Sequence, residues 1–127
     1  MNTVINLQAG WAALLLGCVA GAATGLFFHR EAWLGGYGSW PRRMIRLGHI
    51  SFFGLGLVNL AFALSARALE LRSSLELPSR LLLVGAVAMP LVCYLSAFNP
   101  RWRLLFFLPA SAVTLGVAVF LGRVLST

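Results

Sequence analysis

The sequence predicts an all-α integral membrane protein: a four-helix transmembrane bundle with both termini outward (N-out/C-out) and short cytoplasmic turns. Three observations predict it. Apolar residues make up 60% of the 127-residue chain and the mean hydropathy is +0.88, whereas soluble domains are about half apolar. Only 10% of residues are charged, too few to cover a surface that faces water. Those charges lie between apolar runs instead of sharing a polar face. The length suits one domain, residues 1–127.

A helix needs about 20 apolar residues to cross a hydrocarbon core roughly 30 Å thick. Four stretches qualify, at about residues 7–28, 47–66, 81–98 and 104–121, and none carries an internal Arg or Glu. The first lacks the positively charged n-region of a secretory signal and is expected to be a retained helix. Between the first two helices, Gly35, Gly36 and Gly38 break the chain, and Ser39 with Pro41 restarts it as a helix. Ser73 and Glu76 have capping-box spacing, which predicts a short surface helix or an early start to the third span. Asn99 followed by Pro100 reads as an N-cap plus first-turn proline, so the third and fourth helices should form a tight antiparallel hairpin. Pro90 and Pro109 fall inside apolar runs and should kink their helices.

All ten basic residues are arginines, and the acids are Glu31, Glu70 and Glu76, for a net charge of +7. A nucleic-acid binder gathers such charge on one polar face. Here the expected partner is the lipid bilayer and not nucleic acid. Arg30, Arg42, Arg43 and Arg46 crowd the first turn, with Arg101 and Arg103 in the third, against Arg67, Arg72, Arg80 and Arg123 on the opposite side. That density predicts cytoplasmic turns and a multi-pass protein of a bacterial inner membrane. Trp33, Tyr37, Trp40, Tyr94 and Trp102 are expected to anchor the cytoplasmic interface and Trp11 the outer one.

Two packing faces are legible. Gly17, Gly21 and Gly25 recur at four-residue spacing on the first helix, and small residues let helix backbones approach closely in lipid. The second helix carries His49, Phe52, Gly56, Asn59, Ala63 and Ala66 at alternating three- and four-residue steps, the seam of a left-handed helix pair. Asn59, the only mid-membrane carboxamide on this reading, is expected to hydrogen-bond across helices. Cys18 and Cys93 sit at unmatched depths and are read as packing residues, not as a disulfide.

The spans contain no acid for a proton relay, and the chain has no phosphate loop, HExxH or paired carboxylates. Catalysis is therefore not expected. The only two histidines, His29 and His49, flank the first turn and are expected at similar depth. Two imidazoles from adjacent antiparallel helices could ligate one b-type haem from opposite faces, with Arg30, Arg42, Arg43 and Arg46 pairing its propionates. The competing reading leaves both histidines structural and the protein without a cofactor. The leading expectation is a non-catalytic accessory or structural subunit of a larger membrane complex, or a homo-oligomer. The alternatives are an electron-transfer subunit holding haem b, or a protein that binds anionic lipid through the arginine turn.

Overall fold

The computed structural model describes residues 3–71 and 74–126, and the described chain is all-helical. Four α-helices run up and down: α1 Val4–Phe28, α2 Trp40–Ala68, α3 Glu76–Phe98 and α4 Phe107–Leu125. A 3₁₀ turn, Trp33–Gly35, lies in the first connection, and a 3₁₀ segment, Pro100–Phe106, leads directly into α4. All four spans are long and apolar enough to cross a membrane, the fourth counted as Pro100–Leu125. Each begins earlier than hydropathy alone suggests, because the helices continue into the interfacial residues.

Local chemistry sets the ends. The Ser39 hydroxyl accepts from the Arg42 amide at 3.4 Å and Pro41 occupies the first turn of α2. The Asn99 side chain accepts from the Arg101 amide at 3.1 Å, with Pro100 next, which gives the expected tight hairpin. Ser73 lies outside the described residues. α3 itself starts at Glu76, which pairs with Arg80 one turn on, so the early start is the one observed. α3 runs unbroken through the buried Pro90. Pro109 corrects the kink expected inside the fourth helix: it falls in the first turn of α4, where a missing amide costs little, and the irregularity is the 3₁₀ segment before it.

α2 is central, packed against α1 on one side and α3 on the other, and α4 lies against α3. Only 11% of the apolar stretch of α1 and of the fourth span is buried, against 33% and 39% for α2 and α3, so the outer two helices are mostly exposed. Lipid tails give no hydrophobic gain when helices meet, so small residues and polar contacts must hold the spans together. The backbones of α1 and α2 touch where Gly10 crosses Gly56: a Cβ at Gly56 would lie 3.0 Å from the Gly10 carbonyl oxygen. Gly17 takes the Phe53 ring and Gly21 takes the His49 ring, so both pack within the chain. Gly25 has nothing within 4 Å, which removes it from the expected face. Between α3 and α4, Val113 fills the space over Gly85, and Leu82 that over Gly116. Phe120 of α4 reaches Phe62 of α2 edge-on, with centroids 4.8 Å apart.

The polar clamp sits near the end that carries the termini. Asn6 donates to the Asn59 side-chain oxygen at 2.8 Å and to the Ser79 carbonyl at 3.3 Å. Ser79 Oγ donates back to Asn6 Oδ1 at 2.5 Å. Asn59 donates to the carbonyls of Leu55 at 2.9 Å and Leu82 at 3.3 Å. Both asparagines are fully buried, and their amide hydrogens and oxygens are all engaged. Asn59 therefore hydrogen-bonds across helices as expected, and it joins three of them, level with the first turns of α1 and α3 and not midway along them. The cysteines are unpaired: Cys93 packs in the core, while Cys18 is exposed on α1 and does not pack.

Replacing Asn59 by Ala strands the Asn6 amide in an apolar interior. Reversible unfolding in mixed micelles should show a loss of about 1–3 kcal/mol. Gly56→Leu, which must push α1 off α2, should cost at least as much.

Candidate functional site

The arginine turn is built by aromatic stacking on the end of α1. Trp33 stacks on Phe27 with centroids 5.5 Å apart and planes 16° from parallel, and meets Phe28 edge-on, also at 5.5 Å. The chain then reverses through Leu34, Gly35 and Gly36, whose φ values are 51°, 86° and 95°. Glycine carries such angles without a Cβ clash at the two positions after Leu34.

Arg42 is the centre of this turn. It is 2% exposed, and its guanidinium lies 5.3 Å from the Phe28 ring and 5.4 Å from the Trp33 ring. Its Nη2 donates to the Arg30 carbonyl just beyond the C-terminus of α1, where the helix dipole favours a cation. No carboxylate pairs with it among the described residues, so ring faces and a carbonyl meet the charge. Arg46 is held in a similar way: it lies 4.2 Å over the Tyr37 ring and donates to the Tyr37 carbonyl at 2.9 Å. Arg30 and Arg43 are exposed, each resting on a ring, Phe27 and Trp40 respectively, at 5.9 Å. Trp40 Nε1 donates to the Ser96 carbonyl at 2.7 Å, which ties the turn to α3.

The arginines expected to act together thus divide. Arg42 is committed to the fold, Arg46 is tethered, and Arg30 and Arg43 present charge outward. Trp33, Trp40 and Trp102 lie at this end, and Tyr94 lies four residues before the end of α3 with its hydroxyl buried and unpartnered.

The histidines are not brought together. His49 lies on Gly21 and makes an edge contact with Phe53 at 5.3 Å. His29 caps α1 and is exposed, eight residues beyond Gly21, about 12 Å further along the helix. One haem iron needs two ring nitrogens a few ångströms apart on opposite sides of a flat cavity. In this fold the His49 and Phe53 rings occupy the space over Gly21 and Gly17, so the residues do not fit a haem between the pair. Adjacency to the same turn suggested matched depth; the register of α1 on α2 sets a different one.

Sequence reading missed Asn6, Gly10 and Ser79. The spacing of Asn6, Gly10, Ala13 and Gly17, in steps of four, three and four residues, carried the signal for the first two. No protein-family model, curated protein or solved structure matches this chain.

Two measurements follow. Arg42→Met should loosen the turn, seen as red-shifted tryptophan emission and faster proteolysis between residues 29 and 39, whereas Arg43→Gln should leave both unchanged. Purified protein titrated with haem should give no saturable Soret band that depends on both His29 and His49.

Proposed function

We propose that the protein is a non-catalytic accessory subunit of a membrane assembly, or a homo-oligomer, in the cell inner membrane with both termini outward. The observation that carries this reading is the face α4 turns away from α3. Ala110, Thr114, Ala118 and Gly122 are exposed there at four-residue spacing, and nothing lies within 4 Å of Gly122. Small residues at this spacing let a second helix approach closely in lipid. The partner face moves here from Gly17, Gly21 and Gly25, because α2 covers the first two. The orientation is supported by the exposed Arg30, Arg43, Arg101 and Arg103 at the turn end, against Glu31 as the acid there.

Cysteine at Thr114 should form a crosslinked species in native membranes, to a second copy or to a partner band, and Ala118→Leu should abolish it. A monomer that never crosslinks from Thr114 would refute the α4 face. A C-terminal alkaline phosphatase fusion should be active and a C-terminal green fluorescent protein fusion dark; the reverse would refute the orientation.

A further inference from the structure

The fourth span does not begin as an α-helix. Pro100–Phe106 is a 3₁₀ segment of seven residues, whereas such runs seldom exceed about four. The winding changes which side chains meet. At three residues per turn, positions three apart line up, so Pro100 and Arg103 form one ridge and Arg101 and Leu104 the next, about 120° around the helix. In an α-helix Arg101 and Arg103 would point about 160° apart, to nearly opposite sides. Here the two ridges flank a trough of about 200 Å³, lined by Pro100, Arg101, Arg103 and Leu104.

We propose that this trough is a binding site for a phosphate group, supplied by the head of an anionic phospholipid or by free phosphate. Both arginines are exposed, and neither has a carboxylate partner among the described residues. Glu70 and Glu76 belong to the opposite end of the bundle, which leaves Glu31 as the acid at this one. Two unpaired guanidiniums beside one trough favour an anion with several acceptor oxygens, and arginine binds phosphate through paired N–H groups. The backbone here is already engaged: the Arg101 amide donates to Asn99 Oδ1 and the Trp102 amide to the Asn99 carbonyl, each at 3.1 Å. Recognition therefore falls to the side chains and not to a free helix end. The surroundings suit a lipid head. Trp102, exposed between the arginines, is a residue type that sits at headgroup level. Leu104 forms the apolar edge of the trough, and the exposed Phe107 and Leu108 continue from it along α4, a path for an acyl chain below a bound phosphate. The exposed arginines of the first turn differ: Arg30 and Arg43 rest on the Phe27 and Trp40 rings and do not line the trough.

The test compares retention of phosphatidylglycerol and phosphatidylcholine by the full chain in native mass spectrometry. The native protein should favour the first, and Arg101→Gln with Arg103→Gln should lower the ratio about fivefold. Arg30→Gln with Arg43→Gln removes the same charge from the same end and should leave the ratio within about twofold of native. All four residues are exposed, so both variants should keep the native helical circular dichroism. A second arm titrates inorganic phosphate into lipid-free protein labelled with ¹⁵N-arginine. A lipid preference carried by Arg101 and Arg103 identifies the phospholipid head as the ligand. Equal retention of the two lipids, with saturable phosphate-induced shifts of the Nε–H signals that the Arg101→Gln, Arg103→Gln variant deletes, identifies free phosphate. Equal retention without such shifts would overturn the proposal. So would a preference that survives loss of Arg101 and Arg103, or one that falls as far when Arg30 and Arg43 are replaced.

Discussion

The constraint on which the structure depends is that a carboxamide inside a bilayer must find all its partners within the protein. Asn59 finds them in Asn6, Leu55 and Leu82, and Asn6 in turn holds Ser79. The clamp fixes the relative height of α1, α2 and α3 at one end. From there helical spacing determines the rest: four residues on from Asn6, Gly10 meets Gly56, then Gly17 meets Phe53, and Gly21 meets His49. Slipping α1 by one turn would strand amide groups from two helices at once. The register that separates His29 from His49 is thus set by a hydrogen-bonded cluster far from either of them.

At the opposite end a buried cation is held by different chemistry, and its Nε is left without a hydrogen-bond partner. Arg42 is buried without an acid, in a chain that has few to spare. A cation in this position is stabilised by the polarised ring faces of Phe28 and Trp33 and by the carbonyl end of α1. Arginine suits the role because its planar, weakly hydrated head stacks on rings and keeps its charge when covered. The turn therefore combines two uses of one residue type: Arg42 holds the loop to the helix ends, while Arg30 and Arg43 stay exposed.

Much of this architecture was legible in the sequence, for identifiable reasons. The four spans follow from length and hydropathy, since the bilayer fixes both. Ser39 with Pro41, and Asn99 with Pro100, mark helix starts because capping is local chemistry. The α2 seam through Gly56 and Asn59 also follows, because only one face of a helix repeats at that period. What could not be read were features set by the relative height of helices. Asn6 lay just outside the first apolar run, so Asn59 looked solitary. Gly25 continues the spacing of Gly17 and Gly21, but the close contact with α2 ends before it. Arg42, Arg43 and Arg46 look alike in sequence, and only the folding of Trp33 onto Phe28 separates the buried one from its neighbours.

A groove of about 420 Å³ between α1 and α3 follows from the way helices are held in lipid. In a water-soluble core, an unfilled volume of this kind costs roughly 24 cal/mol per Å³ and selection tends to close it. In a bilayer the surrounding solvent is itself hydrocarbon, so the space fills without that penalty, and close packing is needed only where backbones cross. α1 and α3 each approach α2 through small residues, and the alanines of α1 are too short to reach α3.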